Sequence, residues 1–233
     1  MALTEAIATG LESDAHHVRR GAMTACERLR SRWETPPARL EDLIHDATDD
    51  SHRWVRDDAY EALAVDPATA RTEAALQTAA KASEHVQTAL SGARKLDLPS
   101  VTATAVEELT AALPQSTPPG ETQWETDWGQ YTRTLTVVAE EQPEHLVPHV
   151  ETLCSLLETC TAGGDALAAM LRHVATAQPT AVETQTARLH DYCTAHPERP
   201  HSSQVFAALL ATGWGTPNEI QDLARHFPIK VSG

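Results

Sequence analysis

Apolar residues in the first sixty positions recur three and four apart, and no stretch alternates with period two long enough for a strand. Leu3, Ile7 and Leu11 form one stripe, and Val18, Ala22, Ala25, Cys26 and Leu29 form a second. Recurrence at the helical period predicts two amphipathic helices, each with one buried face. Between them, Glu12-Ser13-Asp14 supplies side chains that end one helix and cap the next. The pattern of residues 3–29 then returns without a gap, 37 positions later. Leu3 falls on Leu40, Ile7 on Ile44, Val18-Arg19 on Val55-Arg56, Ala22 on Ala59 and Ala25 on Ala62, with Asp49-Asp50-Ser51 as the second turn. Small alanines at facing positions let helices approach closely, so the unit is an antiparallel helical hairpin.

A period of this length marks supersecondary units that cannot bury their apolar faces alone and must stack. The same reading predicts helices near 67–81, 83–95, 99–112, 124–141, 144–159, 164–177, 180–195, 201–212 and 216–226. A second repeat runs through the later half at a shift of 36: Leu135, Val138-Ala139, Gln142-Pro143, Leu146 and Leu153 match Leu171, Val174-Ala175, Gln178-Pro179, Val182 and Leu189. Pro67, Pro143, Pro179 and Pro217 suit a first helical turn, where a missing N–H costs little. Pro148 is expected to kink its helix or split off a preceding turn. The segment Pro114–Gln123 is rich in turn formers and has no apolar stripe. It divides N-terminal repeats (1–113) from C-terminal repeats (124–233), with one continuous solenoid as the expected arrangement.

An acidic turn, then Val-Arg, then alanines at four- and three-residue spacing and a closing leucine resembles the HEAT repeat of the HEAT/armadillo-like solenoids. The match lies in Asp14 to Leu29 and Asp50 to Leu63; in 70–95 the stripe Val86, Leu90, Ala93 persists, but Gln87 replaces the arginine. The resemblance implies an all-α, right-handed α-solenoid of about six hairpins. It gives Arg19 and Arg56 a structural role, bonding turn carbonyls or the turn aspartate of a neighbouring unit. It also implies a ligand-facing groove along the second helices, where Arg20, Arg28 and Tyr60 are the candidates.

Composition changes the picture in one respect. The 33 acidic residues outnumber 18 basic ones, net charge is −15, and the only lysines are Lys81, Lys95 and Lys230. Such a balance resembles proteins of salt-in halophilic archaea, so the charge reports on the solvent as much as on a partner. In molar salt, screening acts over about 3 Å, leaving affinity to packing and hydrogen bonds. Residues 96–170 hold twelve acids against Arg133 alone. Within them Trp124, Trp128 and Tyr131 share a helical face at four- and three-residue spacing, a second candidate contact surface.

Motifs for catalysis are sparse. Cys26, Cys154, Cys160 and Cys193 form no Cys-x-x-Cys pair, and His145 and His149 share a face without the glutamate of a zinc motif. No nucleophile elbow, phosphate-binding glycine loop or calcium loop occurs. No cofactor or metal is expected. There is no signal peptide and no apolar run near the roughly 20 residues that span a bilayer, so a cytoplasmic protein with reduced thiols is expected. The sequence reads as a non-enzymatic scaffold binding a protein or peptide. The alternatives are a nucleic-acid-processing protein, such as an alkylpurine DNA glycosylase using Trp124, Asp127, Trp128 and Trp214, or a structural subunit of a larger assembly. The acidic setting of Trp124–Trp128 disfavours phosphate binding.

Overall fold

The computed structural model describes residues 2–32, 37–65, 69–116, 127–160 and 163–227, and among them it contains fourteen α-helices and no strand. Two compact units divide the chain, Met1–Glu108 and Leu109–Gly233. Each is built from stacked antiparallel helices, so the fold is an all-α solenoid. Most of the expected Pro-rich loop lies outside the described residues; Leu113–Gln115 forms a 3₁₀ turn at its start.

The first unit contains α1 (Ala2–Leu11), α2 (His16–Arg30), α3 (Ala38–Ala47), α4 (Arg53–Leu63), α5 (Ala70–Ala80), α6 (Val86–Lys95) and most of α7 (Pro99–Ala112). The expected stripes are its core: Leu40, Ile44, Val55, Ala59, Ala62 and Leu63 are all fully buried. Each buried leucine, isoleucine or valine among them contributes about 1.5–3 kcal/mol relative to exposure. The second helices α2, α4 and α6 stack on one another in chain order.

Two arginines set the register of that stack. Arg19 Nη1 donates to the carbonyls of Ser13 (2.8 Å) and Asp14 (3.1 Å) in its own turn. Its Nε and Nη2 grip the Asp50 carboxylate in the next turn at 2.7 and 2.9 Å. Arg56 repeats the arrangement, with Nη1 on the Asp50 carbonyl (2.7 Å) and Nη2 on Glu84 (2.6 Å). The ladder expected from Val-Arg is therefore present. Buried Arg30, paired with half-buried Glu41 at 2.8 Å, adds a second tie between the first two hairpins and also bonds the Ala62 carbonyl.

In the second unit α8 (Asp127–Glu141), α10 (Gly164–Ala177) and α13 (Ser202–Ala211) form the stacked layer. Gln142 and Gln178 adopt nearly the same backbone, φ −140°, ψ 59° and φ −138°, ψ 73°. Each precedes a proline, which drives it out of the helical region and ends its helix. The chain then turns into the 3₁₀ segment Pro143–His149 followed by α9 (Val150–Thr159), or into α11 (Pro179–Glu183) followed by α12 (Thr186–Ala195). The expected single helices 144–159 and 180–195 are thus each broken after a first turn. The second break has no proline, so the split belongs to the repeat and not to Pro148 alone. A capping box between Thr216 and Glu219 opens α14 (Pro217–Ala224), and Phe227 in the tail stacks on Phe206 at 5.1 Å.

Two substitutions test this account. Asp50 is partly buried, which pushes its carboxyl upward, but the Arg19 hydrogen bonds and the His52 N–H outweigh that and hold it below the ordinary range. A lowered folded-state pKa stabilises above the unfolded value and ceases to do so as pH falls through the folded one. Arg19→Leu is expected to lose about 1.5–3 kcal/mol at neutral pH in urea titrations, with a smaller deficit in acid. Gly163 sits at φ +79°, and a Cβ there would lie 2.4 Å from Trp128 Nε1. Gly163→Ala is expected to cost about 2–4 kcal/mol, read as a lowered Tm.

Candidate functional site

Because Val55 points inward from α4, its neighbour Trp54 is carried round to the solvent side, where it is 54% exposed. Arg20 on α2 lies over the indole, 5.1 Å from the ring centroid. Asp58, one turn along α4 from Trp54, fixes the guanidinium through hydrogen bonds of 2.8 and 3.3 Å. His52 meets Trp54 edge to face at 5.8 Å and stacks in parallel on His16, with centroids 4.0 Å apart. His16 is held below its ordinary pKa by lost hydration and by the neighbouring His52, His17, Arg19 and Arg20. Glu61 is raised by burial and by Asp58, Glu27 and Asp57. The outcome is an exposed aromatic ring with one arginine clamped to it and imidazoles at its rim. A cation–π contact at an exposed site contributes about 0.5–1 kcal/mol, so its main effect is to keep the ring in one place.

The expected contact residues separate. Arg20 is part of this surface. Arg28 is exposed on α2, two turns further on. Tyr60 is not a groove residue: it is 6% exposed, packs 5.3 Å from the His85 ring, and its phenol is pushed upward by burial. The cause is α6, which covers the flank of α4 that an isolated hairpin would leave open. His85 itself is buried, bonded through Nδ1 to Asp57 (2.7 Å) and receiving Arg56 Nε at Nε2 (3.0 Å).

On α8, Trp128 is 2% exposed and belongs to the core stripe with Leu135, Val138 and Ala139. This corrects its assignment to a contact surface: α10 packs on that face of α8, and Gly163 provides the space for the indole. Tyr131 is half-buried beside it. Trp124 lies outside the described residues. Helical spacing does not single out Trp54, because no other aromatic ring of Phe, Tyr or Trp stands three or four residues from it. Its position immediately before the inward Val55, off the apolar stripe, was the available signal.

One cluster of polar and titratable side chains is enclosed. In the second unit Tyr192 and His201 share a 2.5 Å hydrogen bond, Arg199 bonds the Tyr192 hydroxyl at 3.1 Å, and Asp165 stands 3.6 Å from His201. His201 is lowered by burial, against the pull of Asp165. Both rings are buried, and His201 lies so close over Gly164 that a Cβ would meet it at 2.5 Å. The cluster is a clip joining α10, α12 and α13. An open depression of about 390 Å³ between α8 and α10 has Glu140, Arg172 and His173 in its lining beside small residues. No group of three or more metal-ligating side chains converges among the described residues, and no described helix is long and apolar enough to cross a membrane.

No family model matches the chain, and no curated protein matches it. Among solved structures, it resembles a designed armadillo repeat protein with a TM-score of 0.54 at 14% identity, over 90% of this chain and 99% of that one. An engineered protein of known crystal structure matches with a TM-score of 0.52 at 15% identity, over 97% and 98%. At such identities the likeness is one of fold alone: an armadillo-like stack of helical repeats.

Burial pushes the thiols up, Cys26 to about 11 and Cys154 and Cys193 to about 12, with Cys160 also raised. All four are buried and none is disulfide-bonded. A chromogenic disulfide reagent at pH 8 is expected to label none of them rapidly in the native protein and all four in denaturant.

Proposed function

We propose that this chain is a non-enzymatic protein-binding module that recognises a peptide or protein partner through the exposed face of α2 and α4. The observation that carries the reading is Trp54, a large aromatic held in place at the surface by Arg20 and Asp58. Exposed, pre-positioned tryptophan and arginine side chains are the residue types that dominate binding energy in protein interfaces. Arg28 extends the same face. The Val-Arg hairpins and their ladder support a HEAT-like assignment of these repeats. Few lysines, abundant acids and buried unpaired thiols support work in a reducing cytoplasm at high salt.

Nucleic-acid processing has less support. Arg19, Arg20, Arg30, Arg53 and Arg56 each have a carboxylate within 4.0 Å, so few of these charges are available to replace counterions on phosphate. A glycosylase-like pocket would need Trp128, which is in the core.

The test is affinity capture from cell extract at low and molar salt with wild type, Trp54→Ala and Arg28→Glu, after circular dichroism confirms folding. The expected result is a protein partner retained by wild type and reduced at least tenfold by Trp54→Ala, as loss of about 1.4 kcal/mol or more requires. Nuclease-sensitive recovery of nucleic acid, or a partner indifferent to both variants, would overturn the reading.

A further inference from the structure

The buried imidazole of His201 lies between the N-terminal ends of two helices. It stands at the N-cap position of α13, and its ring sits over Gly164, the first residue of α10. The unpaired N–H groups at a helix start carry partial positive charge, so both helices favour a neutral ring over an imidazolium. Burial acts most strongly in the same direction and holds His201 below its ordinary pKa. Asp165 on α10 opposes this, while Arg199 in the turn between α12 and α13 and His196 at the end of α12 reinforce it. The Asp165 side chain is 3.6 Å away and 70% exposed, so water screens much of its pull.

The hydrogen bonds select the same form of the ring. Arg199 Nη1 donates to the Tyr192 hydroxyl oxygen at 3.1 Å, and a guanidinium has no acceptor to offer in return. The Tyr192 O–H is left to donate to His201 Nε2 at 2.5 Å, which requires that nitrogen to be without a proton. The ring proton then sits on Nδ1, the nitrogen that faces Asp165. A second proton on Nε2 would point at the hydroxyl that now donates to it. Tyr192 could receive that proton only by turning its own hydrogen away from its acceptor, in a side chain that is itself buried. A buried donor left without an acceptor costs more than an ordinary hydrogen bond contributes.

We propose that His201 is an acid-sensitive latch in the second unit: neutral, it closes the joint of α10, α12 and α13, and on taking up a proton it releases the start of α13 and the turn before it. The apolar contacts of α13 through Val205, Ala208 and Leu209, all fully buried, carry no titratable group and keep the helix in place. Loosening is therefore confined to the 196–201 turn and the first turns of α10 and α13. Because the folded-state pKa lies below the unfolded one, the latch contributes in full above the ordinary histidine pKa. Its contribution falls away as pH drops from there through the folded value. It shares no residue with the Trp54 surface.

Two measurements on the intact chain test the latch. Titration of the assigned His201 Cε1–H resonance by NMR is expected to give a midpoint below about 6.5. Amide hydrogen exchange, corrected for its intrinsic pH dependence, reads the joint itself through the Gln204 and Val205 N–H groups, which donate to the His201 carbonyl at 2.9 and 3.2 Å. Their protection is expected to fall several-fold between pH 7.5 and pH 5. His201→Gln retains an acceptor for Tyr192 and has no proton to take up, so protection in that variant should not fall. Tyr192→Phe removes the hydroxyl that selects the neutral ring, and should raise the His201 midpoint and make the loss of protection shallower. A wild-type midpoint at or above the ordinary value would overturn the proposal. So would a loss of protection of the same size in His201→Gln, or a midpoint unchanged by Tyr192→Phe.

Discussion

The register of the first unit depends above all on two arginines, on α2 and α4, each of which bonds backward to its own turn and forward to the next. Arg19 closes the turn at Ser13-Asp14 and holds the Asp50 carboxylate; Arg56 closes the turn at Asp50 and holds Glu84. Aliphatic packing between hairpins is non-directional and would tolerate sliding. A bidentate guanidinium–carboxylate pair is directional. It fixes how far one hairpin advances on the next, and so which residues of α2 and α4 come to face one another.

That register has consequences beyond stability. It brings Arg20 above Trp54 and within reach of Asp58, residues 34 and 38 positions away in sequence. It stacks His16 on His52. The candidate contact surface is therefore a property of the stack and exists on neither hairpin alone.

The second unit reaches a similar stack by other means. It lacks the Val-Arg pair and uses Gln-Pro steps at 142–143 and 178–179 to end one helix and redirect the chain. Gly163 and Gly164 then permit close approach, one accepting the Trp128 indole and the other the His201 ring. Polar groups gathered here, Tyr192, His201 and Arg199, serve the joint between helices.

Much of the fold was legible in the chain itself, since helix formation and repeat stacking follow from local spacing. The stripes at Leu40, Ile44, Val55 and Ala59, the roles of Arg19 and Arg56, and the prolines opening helices all needed only periodicity and backbone sterics. The breaks after residues 149 and 183 were less visible, because a first turn and a full helix share the same apolar spacing. The candidate surface was legible only in part. Arg20 could be placed outside the stripe, but Tyr60 and Trp128 could not be distinguished from exposed aromatics until α6 and α10 covered them. Sequence by itself determined which side of each helix is apolar, because that is set by residue order and the helical period. Tertiary structure alone decided which apolar or aromatic side chains end up covered, because burial depends on a neighbouring element contributed from another part of the chain. Trp54 stays exposed and Trp128 does not for that reason.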